Sequence, residues 1–334
     1  QIAKDWAGIV ASGGTPNSTS ESDIAAQTTI EQLRDRYMNE HAIHQKPRTR
    51  LNNQGYWDNH IIPAFKGRLV SEITAPDAKS LHIAMRPTPT NANRVIECLR
   101  KAMNLAEAWK MRPEGSNPAR GIKPYRLKKR KRYMTPDEAK AFGVALREFD
   151  REGGLTARYA ALVRLEIYTG ARKGEFLNAL WTDIDWDRCI LNLIDTKSNE
   201  SQELILPLIA IDVLKGLERV QGNPYIIAGG KAGKPLQETR RLWARLCKMA
   251  GVKAGRVGGI VMHDLRHSFA SYTISATGNL AMVGGLLRHA DPQTTARYAH
   301  LLDDPLRAAS DMGAGHLASL VDNAPLPDNV IPMI

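Results

Sequence analysis

The residues from Met262 to Leu301 read MHDLRHSFAS and, after a short gap, LLRHADPQTTARYAHL. His263, Arg266, His267, Arg288, His289 and Tyr298 are gathered there within forty positions, in apolar stretches with helical spacing. Arginine forks answer phosphate oxygens, imidazoles move protons near neutral pH, and a phenol forms covalent esters. Together these groups suit breaking and rejoining a phosphodiester with no metal ion.

Three further features bear on that chemistry. In YTGARKGEFLNALWTDIDW, Gly170 breaks one helix, and Arg172 and Glu175 stand three apart at the head of the next. Such a pair reads either as a surface ion pair or as a phosphate-directed arginine oriented by its carboxylate. Lys197 lies in the polar turn DTKSNESQE, as solvated surface or as a general acid tuned by a nearby phosphate. His263 and His267 share a helix face, which invites a metal reading. No glutamate follows the first histidine and no third ligand is evident, so His267 reads as a packed histidine behind the site. Taken alone, Tyr298 reads as a half-buried amphipathic side chain.

In this order, TGARKGEFLNALWTDID, DTKSNESQELILPL, HDLRHSFAS and RHADPQTTARYAHL resemble the catalytic domain of the tyrosine recombinases, the phage-integrase family. The resemblance implies Arg172 and Arg266 as phosphate-binding arginines, Lys197 as the hairpin lysine, and His263 and His289 as the two histidines. Tyr298 is implied as the nucleophile and Glu175 as the acid that follows the first arginine. Tyr298 would form a 3′-phosphotyrosine, with His263 taking the phenolic proton and Lys197 protonating the leaving 5′-oxygen. Neither a metal nor ATP is implied. The chain departs from the family at Leu287-Arg288-His289, where Leu-Gly-His is usual. Without glycine the bend is strained or less sharp, and Arg288 is a candidate DNA contact.

The elements that must position these groups are mainly helical with a small β-hairpin, an α+β class. Residues 1–27 open with IAKDWAGIV and a Gly/Ser/Thr/Pro cluster, a linker or the remnant of an arm-binding module lying before Gln1. Helices are predicted at about 30–40, capped by Thr29, and at 48–62, 75–85 and 90–110, giving a helical core-binding domain over 28–112. Residues 113–133 form a basic linker. From Arg120 to Arg132 there are eight basic residues and no acid. Lys123, Arg126, Lys128, Lys129, Arg130, Lys131 and Arg132 read either as a solvated run or as a strap on a phosphate backbone.

The catalytic domain spans 134–310, starting at Thr135 as an N-cap with Pro136 in the first helical position. Helices are predicted at 135–149 and 155–169, from near Ala171 to before Trp181, and at 210–220, 237–249, 264–276, 279–287 and 292–301. A hairpin joins 188–194 to 203–208. The tail 311–334 either docks on a neighbouring protomer or stays unstructured.

With 46 Lys+Arg against 35 Asp+Glu, the net charge is +11, which favours a polyanionic partner. Cys98, Cys189 and Cys247 have no metal or disulfide spacing, so a reduced cytoplasmic, nucleoid-associated setting is expected, with no membrane segment. The family resemblance implies double-stranded DNA as substrate and a homo-tetramer on it, with a host DNA-bending protein and an excisionase as helpers. The rival readings are a type IB topoisomerase, a DNA-binding regulator with a degenerate catalytic domain, and a metallohydrolase.

Overall fold

The computed structural model describes residues 27–127, 130, 132–194, 201–302, 306–307, 309–314 and 317. The expectations for residues 1–26, for Lys128, Lys129 and Lys131, for Lys197 and for most of the tail therefore lie outside the described residues. The chain forms two compact units that divide between Lys129 and Arg130.

The first unit is helical. It contains α1 (Ile30–Arg36), α2 (Pro47–Tyr56), α3 (Ile62–Phe65), α4 (Ala75–Ala84) and α5 (Pro89–Ala108). Thr29 caps α1 in a capping box with Gln32, as the sequence suggested. The helix expected over 48–62 is instead broken by a π-helical turn at Trp57–Ile61. Trp57 and Ile61 are both fully buried there, packed with Leu33, Tyr37, Leu99 and Met103. Burial outweighs regular hydrogen bonding at that turn.

The segment after α5, expected as part of a basic linker, folds back on the helical unit over its first half. Arg100 donates to the carbonyls of Ala119 (2.9 Å) and Ile122 (2.8 Å). Asn93 exchanges hydrogen bonds with the Tyr125 backbone, and the Tyr125 ring stacks on His82 at 4.1 Å. Residues 117–125 therefore belong to the helical unit. Lys123 and Arg126 are exposed on it.

The second unit is built around α7 (Gly154–Thr169), which packs against α6 (Pro136–Glu152) and α8 (Lys173–Asn178). It also meets α9 (Leu208–Lys215), α10 (Thr239–Met249) and α11 (His263–Thr277). Buried residues lie on every side of α7, among them Tyr159, Leu162, Val163 and Leu165, as a central helix requires. Thr135 caps α6 in a capping box with Glu138. The hairpin is present as β2 (Ile190–Ile194) and β3 (Ser201–Ile205), with Ile190 opposite Ile205. A short β1 (Ile184–Asp185), too brief to leave a sequence pattern, completes an antiparallel sheet of order β1-β2-β3.

The unit ends with α12 (Leu280–Leu286) and α13 (Pro292–Ala296). The single helix expected over 292–301 stops at Ala296, and a 3₁₀ turn covers Ala299–Leu301. Tyr298 lies in the break. Among the described residues no helix is long and apolar enough to cross a membrane.

Candidate active site

Helix α11 carries most of the chemistry and is buried from Asp264 to Ser268. A charged helix start survives burial only if each charge is answered. The Asp264 carboxylate accepts the Val261 N–H (2.8 Å) and a fork from Arg130, through Nε (2.8 Å) and Nη2 (2.6 Å). Arg130 also donates to the carbonyls of Arg256 and Gly259. Four of its five N–H donors are thus engaged inside the unit. Arg130, expected in the run facing a phosphate backbone, here anchors the head of α11. Arg132 likewise pairs with Glu138 at the start of α6, against the reading of a free strap.

Arg266 is 4% exposed and clamps the C-terminal ends of two helices. Its Nη1 donates to the Gly170 carbonyl at 2.6 Å and its Nη2 to that of Leu287. Gly170 caps α7 at φ 64°, and a Cβ there would lie 2.4 Å from the Phe269 ring. Only glycine fits that junction. Burial, then the neighbouring Arg172, lower the Arg266 pKa to about 10, so it stays charged at neutral pH.

Arg172 caps α8 and its side chain is 48% exposed. Glu175 holds it, accepting the Arg172 backbone N–H (2.8 Å) and Nη1 (2.9 Å). The same carboxylate accepts Nη2 of Arg288 at 2.5 Å. Arg288 has φ 54°, in the left-handed region, and its side chain is only 9% exposed. The departure from glycine is therefore a strained residue turned inward, and Arg288, expected as a candidate DNA contact, is held in an internal ion pair. His289 follows, with Nδ1 at 2.8 Å from the Thr295 hydroxyl.

The Tyr298 hydroxyl lies 2.5 Å from Nδ1 of His267. His263, the expected partner, packs edge-on against His267 at 4.9 Å between ring centroids. With the phenol donating, His267 carries its own proton on Nε2. Tyr298 is 5% exposed and packs with Ala270, Ile274, Val283 and Leu287. Burial raises its pKa, opposed by Arg297 and Arg266.

These side chains converge on one cavity of about 360 Å³, lined by Arg172, His263, Arg266, His267, His289, Arg297 and Tyr298. Asp291, whose carboxylate caps the Gln293 N–H, is the one acid among the described lining residues. Arg297 was not singled out from the sequence, although it adjoins Tyr298. It donates to the Arg130 carbonyl at 2.7 Å. Burial, followed by the surrounding guanidinium groups, lowers the pKa of His267 and of His289 to about 4, and that of His263 in the same direction. An electropositive pocket with neutral imidazoles and one phenol is preorganised for an oxyanion. The described residues hold no group of three His, Cys, Asp or Glu placed to bind a metal ion.

The family model for the phage integrase family matches residues 132–304, over half the chain. The chain belongs to the phage integrase family. A second model, for the phage integrase N-terminal SAM-like domain, matches residues 29–81 of this integrase-family chain. Tyrosine recombinase XerC of Xylella fastidiosa is 30% identical over 190 residues, covering 55% of the chain and 62% of that relative. A tyrosine recombinase of Thermosipho africanus is 28% identical over 220 residues, covering 65% and 74%. The chain thus spans under two thirds of the length of the XerC relatives.

In fold it is similar to a lambda integrase dimer bound to a COC′ core site, with TM-score 0.68 and 19% identity over 81% of this chain and 95% of that one. It is also similar to the Tn1549 transposon integrase in complex with circular intermediate DNA, with TM-score 0.64 and 17% identity over 85% and 99%.

Proposed function

We propose that this chain is a site-specific DNA recombinase that integrates or excises a mobile element through a 3′-phosphotyrosine intermediate. The observation that carries the reading is the shared cavity, in which the Tyr298 phenol meets Arg172, Arg266, His263 and His289.

Tyr298 Oη attacks the scissile phosphorus, and the bond to the 5′-oxygen breaks. The phenolic proton passes to His267 Nδ1, which already holds the hydroxyl. Arg172 and Arg266 offer N–H donors to the non-bridging oxygens as charge builds on them, and His289 adds a further donor. Lys197 protonates the departing 5′-oxygen, a role that rests on the family resemblance. Return of a 5′-hydroxyl to the phosphotyrosine reforms the phosphodiester and frees the phenol, so the reaction is balanced without ATP.

The partner is double-stranded DNA, with the helical unit gripping the core site and four protomers exchanging strands in pairs. Solved relatives support this assembly: one lambda integrase structure is a tetramer bound to a Holliday junction. A host DNA-bending protein and an excisionase are proposed helpers.

Tyr298→Phe tests the assignment. On a nicked suicide substrate the wild-type chain should trap a covalent protein–DNA species, and the variant should bind the same DNA yet trap none. An adduct surviving in the variant would remove Tyr298 from its role. Supercoil relaxation without recombinant products would favour the topoisomerase reading.

A further inference from the structure

We propose that Arg288 is a positioning residue: it ties the turn carrying His289 to the carboxylate that holds Arg172. The inference rests on the cleavage chemistry proposed above.

The turn after α12 is a complete Schellman motif. The His289 N–H donates to the Gly284 carbonyl at 3.0 Å, and the Arg288 N–H to that of Gly285 at 2.9 Å. Its left-handed position is occupied by Arg288 at φ 54°. Glycine enters that conformation freely, whereas an L side chain does so against its own Cβ. The backbone therefore supplies no reason for an arginine. The side chain does: it is buried and donates to Glu175 at 2.5 Å across 113 positions of sequence.

Glu175 is the hub. Its Oε1 accepts from Arg172 Nη1, and its Oε2 accepts from both the Arg172 backbone and Arg288. One carboxylate thereby links the arginine on one wall of the cavity to the turn that delivers His289 to the other. Dividing the carboxylate between two cations has a second effect. Among the described residues the Arg172 guanidinium bonds only through Nη1, which leaves its other donors available to an anion in the cavity that it lines. Without Arg288, the full charge of Glu175 would fall on Arg172 and draw it away from the anion, while the His289 turn lost its tether.

The experiment compares the wild-type chain with Arg288→Gly, Arg288→Lys, Glu175→Gln and the Arg288→Gly/Glu175→Gln double variant. Thermal melting, DNA affinity by anisotropy and single-turnover adduct formation on a suicide substrate are measured for each. Arg288→Gly relieves the strained φ, so its melting temperature should hold or rise and its DNA affinity should stay within about twofold of wild type. Its adduct rate should nevertheless fall on the order of 10–100-fold, the scale on which small misplacements act. Arg288→Lys should recover part of that loss, and the double variant should be no slower than the slower single one.

A wild-type adduct rate in Arg288→Gly, or losses that simply multiply in the double variant, would overturn the inference. Loss of melting temperature and activity in parallel, with no recovery in Arg288→Lys, would overturn it as well. Failure of the wild-type chain itself to form an adduct would instead strike the parent reading.

Discussion

Tyr298 and His267 form a buried pair whose protonation is set by their surroundings rather than by their own chemistry. His267 and His289 titrate near 4 in the fold, against an ordinary value of 6.5, because burial and neighbouring guanidinium groups disfavour the imidazolium. The sign of the linkage follows. Between about pH 6.5 and 4 the unfolded chain binds protons that the folded chain refuses, so stability falls as pH falls through that window. Thermal melts from pH 7.5 to 4.5 should show a declining midpoint, and His267→Gln should flatten part of the decline. A midpoint independent of pH in the wild-type chain would refute this account. A phosphate in the cavity opposes the guanidinium field and favours the charged imidazoles, so DNA should protect the fold most at the acidic end of the range.

At the scale of elements, the head of α11 is held by a contact between residues 134 apart, Arg130 and Asp264. Asp264 has a side-chain exposure of 1%, so removing its partner strands a charge in the interior. Arg130→Ala should cost about 3–5 kcal/mol in chemical denaturation while leaving the salt dependence of DNA binding as it was. A neutral effect on stability would return Arg130 to the solvated run in which its sequence context places it.

This contact marks the limit of what the sequence disclosed. Helix starts at Thr29 and Thr135, the break at Gly170 and the hairpin were legible, since caps, glycines and alternation act locally. Arg172 with Glu175, and His289 with Tyr298, entered as candidates through the family resemblance of the stretches that carry them, since their spacing alone left a surface ion pair and a half-buried tyrosine equally open. Which of His263 and His267 meets the phenol was not, because both lie on one face of α11 and only the approach of the Tyr298 turn separates them. Arg130 looked like one cation among eight, its acid lying in another part of the chain. The strained turn at Arg288 was visible, but not the Glu175 partner that fixes its direction.

At the scale of the whole molecule, a net charge of +11 sets how the chain meets a polyanion before any catalytic contact forms. Lys123 and Arg126 are exposed on the helical unit and, among the described residues, carry none of the internal anchoring seen at Arg130. Replacing both by alanine should lower the slope of log affinity against log salt by up to about 1.8, two phosphate contacts at about 0.9 each. Anisotropy titrations across a salt series measure this directly, and an unaltered slope would make the two cations bystanders.

The burial of Tyr298 bears on the chain at rest. Solvent and electrophiles meet Tyr272 at 46% exposure and Tyr133 at 38% more readily than Tyr298, a residue only 5% exposed. On the function proposed above, a chain between encounters keeps that tyrosine largely covered, open only toward the cavity it lines.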